Sequence, residues 1–166
     1  MKAEKVYLVG FMGAGKTSVA RALAKRLGWH ALDLDELVEQ REHAAVSDIF
    51  ARRGEPYFRA AERAALLDQV GRPHVVVATG GGTYVDPQNR AAIHADGVAV
   101  WLDVPLDRLI DRVPADGSRP LAANRFEFER LFHIRRAAYQ HAHLRLDAGR
   151  ASVDELAEQL VDWLGA

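Results

Sequence analysis

The chain contains no cysteine among its 166 residues. That excludes a disulfide framework and thiolate metal sites, and it makes a reducing cytoplasm the plain expectation. Net charge is nearly absent as well: 22 Lys and Arg stand against 23 Asp and Glu, a formal charge of −1. Such a balance gives no bulk attraction toward nucleic acid or an anionic membrane, so neither is expected as a partner. Any phosphate must be held by a local arrangement of groups. Long apolar runs are missing too. Val6-Tyr7-Leu8-Val9 is too short for a signal-peptide core or a membrane span, and nothing downstream reaches spanning length. There is no internal repeat, low-complexity segment or interdomain linker. What remains is ordinary, with 49% hydrophobic and 27% charged residues. A single domain of this length, residues 1–166, buries roughly 70% of the surface its unfolded chain would expose.

Apolar periodicity gives an alternating order of strands and helices. Residues 5–9 read as a strand, and Val19, Leu23 and Leu27 repeat at helical spacing from about Lys16 until Gly28 stops the pattern. Ala31 to Leu34 reads as a short strand. Helices follow at 35–43, 46–53 and 56–70, with Ser47 as a candidate cap and Pro56 suited to a first turn. Val75 to Ala78 and Val98 to Leu102 are continuous apolar runs, as buried parallel strands are. Helices are expected at Pro87–Ala95, Pro105–Arg112, Glu127–His143 and Ser152–Leu164, with a strand at Leu144–Leu146. The Pro- and Gly-containing stretch 113–124 reads as a mobile loop. The alternation argues for an α/β domain, a parallel sheet covered on both faces.

Gly10-Phe11-Met12-Gly13-Ala14-Gly15-Lys16-Thr17 satisfies G-x-x-x-x-G-K-[ST] between a predicted strand and a predicted helix. Glycines let backbone N–H groups turn inward around an anion, and the helix N-terminus adds its positive dipole end. Lys16 then reaches the β- and γ-phosphates of a nucleotide, and the Thr17 hydroxyl is placed for Mg²⁺. A chance match in a chain this long is roughly a one per cent event or less at average residue frequencies.

Other residues narrow the activity. Asp33 and Asp35 stand at the C-terminal end of a predicted strand, the edge where α/β sheets bind ligands. One would serve the metal's water shell and one would accept a proton from a substrate hydroxyl; alternatively, Asp35 caps the next helix. Gly80-Gly81-Gly82 follows another buried strand, so either a close approach of backbone to a ligand or a plain flexible turn is implied. Arg59 and Arg135 have the planar fork that suits carboxylates and phosphates. Arg112 and Arg119 bracket the predicted loop, where a closing lid would carry an arginine to a transferring phosphoryl group. His141 and His143 are two apart on a predicted helix and so face different sides, and all seven histidines read as structural or surface residues.

In order and spacing these pieces resemble the bacterial shikimate kinases over the whole chain. The matching segments are the phosphate loop at 10–17, Asp33-Leu34-Asp35, Ser47-Asp48-Ile49-Phe50, and Gly54-Glu55 with Phe58-Arg59 and Glu62. Gly80-Gly81-Gly82, Arg119-Pro120-Leu121, and Arg135 four residues before Tyr139 complete the set. The resemblance implies a three-layer α/β/α fold of the nucleoside monophosphate kinase type, with a five-stranded parallel sheet and a lid near 113–124. It implies ATP-dependent, Mg²⁺-assisted phosphorylation of shikimate at its 3-hydroxyl, a cytoplasmic step of aromatic amino acid biosynthesis, by a monomer. Asp35, Arg59, Gly81 and Arg135 would contact shikimate from helices within about 35–70 and beyond. Asp35 would be the general-base candidate, with Lys16 and Arg119 its catalytic companions. Val46, Phe50, Phe58 and Glu62 would line or support the pocket. Gly13, Ala14, Gly15, Lys16, Thr17 and Ser18 would hold the ATP phosphates, with Arg112 by the adenine. Thr17 would bind Mg²⁺, and Asp33 would orient it through water. Three departures stand out: Arg41-Glu42-His43-Ala44-Ala45 where many relatives have a glycine, Arg136 beside Arg135, so that the choice of Arg135 is taken from its register to Tyr139, and no proline near Val153. A sugar-acid kinase such as a gluconate kinase would share the loop, acid and lid, and a non-catalytic nucleotide-dependent regulator would be expected to have lost Lys16, Asp35 or Arg119.

Overall fold

The computed structural model describes residues 1–112 and 124–166. Of the expected lid, residues 113–123, and with them Arg119, lie outside the described residues, and Asn124 is the N-cap of the helix that follows. The elements are β1 (Lys5–Val9), α1 (Lys16–Leu27), β2 (His30–Asp33), α2 (Leu34–Glu42), α3 (Val46–Arg53), α4 (Glu55–Leu67) and β3 (Val75–Ala78). A 3₁₀ turn (Thr83–Val85), α5 (Pro87–Asp96), β4 (Val98–Asp103), α6 (Leu106–Arg112), α7 (Arg125–Tyr139), β5 (Leu144–Asp147) and α8 (Val153–Leu164) complete them. The five strands pair in parallel in the order β2-β3-β1-β4-β5, with helices on both sides. β1 and β3 are buried along their whole length, which is why they read as unbroken apolar runs; edge strands β2 and β5 carry His30 and Arg145. With β3 between β1 and β2, the segments leaving the C-terminal ends of these three strands emerge side by side. Those segments are the phosphate loop, Asp33 to Asp35, and Gly80 to Gly82. Among the described residues no helix is long and apolar enough to cross a membrane.

Several local expectations shift. Leu34 is not the last strand residue but the fully buried first residue of α2, and Asp33 caps that helix, its Oδ1 accepting from the Glu36 N–H at 3.1 Å. Asp35 is therefore not the cap. Ser47 is not a cap either: the N-cap position of α3 is Ala45, and Glu39 on α2 accepts the Val46 N–H at 2.9 Å. Pro56 does sit in the first turn of α4. His43, in the segment that departs from the family's glycine, takes a left-handed conformation with φ 54°, where a Cβ is strained. α7 stops at Tyr139 rather than His143. His143 instead exchanges two hydrogen bonds with Ala99 of β4, its N–H donating to Ala99 O at 2.9 Å while its side-chain Nδ1 accepts the Ala99 N–H at 2.9 Å. Sheet pairing outcompetes another helical turn, so helix-face reasoning does not apply to His141 and His143. Among the described residues no group of three or more His, Cys, Asp or Glu is placed to hold a metal.

A buried ion pair fastens the opposite edge of the sheet. Lys5 of β1 is 2% exposed and meets Asp96 Oδ2 at 2.6 Å at the end of α5. Lys5 also donates to Gln69 O, Tyr7 donates to Asp96 Oδ2 at 2.5 Å, and the Gly71 N–H donates to Oδ1 at 2.8 Å. Burial pushes the Asp96 pKa up, but the donors Lys5, Tyr7 and Gly71 together with the Lys5 charge outweigh it and hold the carboxyl below its ordinary value. Asp96→Ala leaves the Lys5 ammonium buried without its counter-charge and is expected to cost about 3–5 kcal/mol in urea unfolding. Because the folded carboxyl is the more acidic, its contribution is present above the unfolded value of about 3.9 and fades as pH falls from there through the lower folded value. The stability gap between wild type and variant should therefore narrow below about pH 4.

Candidate active site

The loop leaving β1 turns through Gly13 at φ +82° and Gly15 at φ +95°, conformations that a side chain would strain. Ala14 N–H bonds back to Phe11 O at 3.2 Å, and α1 starts as Val19 N–H reaches Gly15 O at 3.1 Å. The six expected phosphate-loop residues, Gly13 to Ser18, line a cavity of about 280 Å³ that also takes in Asp33, Asp35, Thr79 and Arg112. Inside it the Lys16 ammonium donates to Gly10 O, and to Phe11 O at 3.1 Å. Thr17 donates its hydroxyl to Asp33 Oδ2, so one carboxylate joins the start of α1 to the cap of α2. Arg112, at the end of α6, donates to Gly13 O at 3.1 Å and stands at the cavity's rim. A glycine-rich loop, a helix N-terminus and an ammonium at one cavity are the groups that a polyphosphate site needs.

A second pocket adjoins the first. It is lined by Asp35, Arg59, Gly80, Gly81, Gly82 and Arg135, with Met12, Val46, Phe50, Phe58 and Glu62. Asp35, Gly81 and Met12 line both cavities, so Asp35 stands where a group held in one meets a group held in the other. All four residues expected at the acceptor are thus brought together, from α2, α4, the turn after β3, and α7.

The three glycines make this possible. A Cβ at Gly80 would lie 2.9 Å from both Asp35 Oδ1 and Glu62 Oε2; at Gly81, 2.9 Å from Arg135 Nη1; at Gly82, 2.5–2.7 Å from the Arg59 guanidinium. The sequence points to a ligand against this backbone; the close approach in the structure is made instead by the chain's own charged side chains.

Glu62 is 1% exposed and holds Arg59 through Nη1 at 3.1 Å, while Thr83 donates to its other oxygen at 3.0 Å. Arg135 is 5% exposed, and among the described residues no carboxylate forms an ion pair with it. Burial pushes its pKa down; Tyr139 and Glu62 act against that and the Arg59 charge acts with it. An arginine keeps its proton under such pressure, so this guanidinium gains from any anion that enters the pocket. Arg136, its neighbour in sequence, points away toward Asp103 at 3.9 Å and the Trp101 ring at 5.4 Å, which fixes the register taken from Tyr139. Met12 and Thr83 escaped the sequence reading. Met12 occupies a variable position of the loop motif, and Thr83 carries no signal beyond following the glycines.

Lys16→Ala removes charge from the phosphate cavity and no packing from the core. Nucleotide-dependent turnover should fall about 100- to 1,000-fold, the scale for losing one preorganised donor, with an unchanged circular dichroism spectrum. Near-normal turnover would remove the cavity from the reaction.

The shikimate kinase family profile matches residues 12–165. The curated shikimate kinase of Persephonella marina is 36% identical over 157 residues, spanning 94% of this chain and 96% of the relative. That of Thermosynechococcus vestitus is 39% identical over 160 residues, 96% of this chain and 86% of its own. A solved structure of shikimate kinase from Acinetobacter baumannii in complex with shikimate superposes with a TM-score of 0.93 at 33% identity, covering 97% of this chain and 92% of that one. Deoxyadenosine kinase from M. mycoides with bound dATP, at 16% identity and a TM-score of 0.66, shares the fold alone. The likeness to shikimate kinases runs from the phosphate loop to the last helix, and the chain belongs to the shikimate kinase family.

Proposed function

We propose that the chain transfers the γ-phosphoryl group of ATP to the 3-hydroxyl of shikimate, giving shikimate 3-phosphate and ADP in aromatic amino acid biosynthesis. The observation that carries this reading is the convergence of Arg59 and Arg135 at one pocket whose other wall, Asp35, borders the phosphate cavity. Shikimate has a carboxylate on a ring bearing hydroxyls. With the carboxylate at the two guanidiniums, the ring rests among Val46, Phe50 and Phe58, and a hydroxyl faces Asp35. Asp35 orients that hydroxyl and takes its proton as the oxygen attacks. Lys16 and the loop N–H groups meet the charge that spreads over the transferring group.

Thr17 and Asp33 bring a hydroxyl and a carboxylate together at the phosphate cavity, an all-oxygen donor set that suits Mg²⁺. Thr17 would ligate it and Asp33 would hold a water of its shell. When bound, the ion neutralises phosphate charge.

Release of ADP from Mg·ATP by the purified protein should depend on shikimate and not on gluconate; the reverse preference would overturn the assignment. Truncating one partner of a buried charge contact costs about 2–5 kcal/mol, so Arg135→Ala and Arg59→Ala should each lower kcat/KM for shikimate at least about 30-fold. ATP affinity without shikimate should hold. Arg59→Ala should also lower the melting temperature, since it leaves Glu62 buried without its partner, whereas Arg135→Ala should not. Shikimate methyl ester should be a poor substrate of the wild type, and the variants should discriminate against it much less. Equal losses on esterification in all three proteins would remove the two arginines from carboxylate recognition.

A further inference from the structure

α7 presents Phe128, Phe132, Arg135 and Tyr139 on one face, at spacings of four, three and four. Phe128 and Phe132 meet Phe11 of the phosphate loop edge-on at 5.0 and 5.4 Å, and the Arg135 guanidinium carbon lies 5.8 Å from the same ring. The last two residues of the stripe grip one residue of the glycine turn. Arg135 packs so closely on the Cα of Gly81 that a Cβ there would sit 2.9 Å from Nη1. Tyr139, one helical turn on, donates its hydroxyl to the Gly81 carbonyl.

A run of three glycines has the softest backbone a protein can build, and nothing in its own side chains holds its peptide planes. The Gly81 carbonyl and the Gly82 N–H belong to one rigid plane. Fixing that carbonyl therefore orients both the residue against Arg135 and the residue against Arg59. The anchor is itself immobile: Tyr139 is buried, its ring 6.0 Å from Trp101. Burial pushes its phenol pKa upward, so the hydroxyl keeps the proton it donates.

Resting on the shikimate assignment, we propose that Tyr139 is a positioning residue: its hydroxyl clamps the Gly81 peptide, sets the seats of Arg135 and Arg59, and thereby sets selection for the substrate carboxylate. An ordinary core hydrogen bond would contribute only stability. Tyr7 supplies the matched control, another fully buried tyrosine whose hydroxyl is bonded, to Asp96, at the far edge of the sheet.

The test compares wild type, Tyr139→Phe and Tyr7→Phe in kcat and KM for shikimate and its methyl ester, ATP affinity and melting temperature. Tyr139→Phe should raise KM for shikimate about tenfold, the scale of one lost buried hydrogen bond, and shrink the acid-over-ester preference by a similar factor with ATP affinity unchanged. Tyr7→Phe should lower the melting temperature and leave that preference as in wild type. Tyr139→Phe with an intact preference, or Tyr7→Phe eroding it equally, overturns the clamp while leaving shikimate as the substrate. A wild type inert toward shikimate overturns the functional assignment and the clamp together.

Discussion

At the end of β3 charged groups occupy the space where the Cβ atoms of three consecutive residues would lie. Asp35 and Glu62 fill the space beside Gly80, Arg135 that beside Gly81, and Arg59 that beside Gly82. A methyl group at any of them would meet a charged group at less than contact distance, and at Gly82 it would meet the planar fork itself. The acceptor pocket is thus a floor of bare backbone onto which charges from α2, α4 and α7 are lowered. The parallel sheet determines where that floor lies. β3 is seated between β1 and β2, so the floor adjoins the phosphate loop on one side and the Asp33–Asp35 segment on the other.

Charge balance underlies the proposal that this floor selects an anion. Glu62 is spent on Arg59, held by geometry on three sides through Arg59, Thr83 and the missing Gly80 side chain. Arg135 has burial without a comparable ion pair among the described residues, which is what lowers its pKa. A buried guanidinium in that condition is costly unless an anion arrives, and a carboxylate matches its fork. The apolar walls Val46, Phe50 and Phe58 favour a ring behind that carboxylate over a hydrated chain.

Much of this was legible in the sequence. The loop motif, the buried strands and the order of helices carry local signals, and Gly13 and Gly15 adopt the positive φ angles that the motif's turn implies. Other features depend on partners distant in the chain. Tyr139 ends α7 because the next residues pair with β4, a contact across 44 positions that no local period contains. Asp33 rather than Asp35 caps α2, since capping falls to whichever acid precedes the first helical turn, and that boundary shifts by one residue when Leu34 enters the core. The glycine triplet points to a ligand against bare backbone, whereas the groups packed there are the chain's own. Glycine records only that a side chain was excluded, and the excluding groups lie on other elements.

Phe11 and Met12 are variable positions of the phosphate-loop motif, and in this chain they join the two halves of the site. The backbone of their loop is committed to phosphate, so only their side chains are free to pack. Phe11 receives the aromatic stripe of α7 and carries Arg135 over its ring, while Met12 lines both cavities. The spacing between the two cavities is therefore held by close-packed core contacts, which resist displacement far better than exposed loops do. α7 cannot shift against the phosphate loop without opening the Phe11 contacts, and it cannot shift against the glycine turn without moving Arg135. Phosphoryl transfer requires reacting atoms held in near-attack geometry. In this fold that requirement is met by one helix whose single face touches the phosphate loop at one end and the glycine turn at the other.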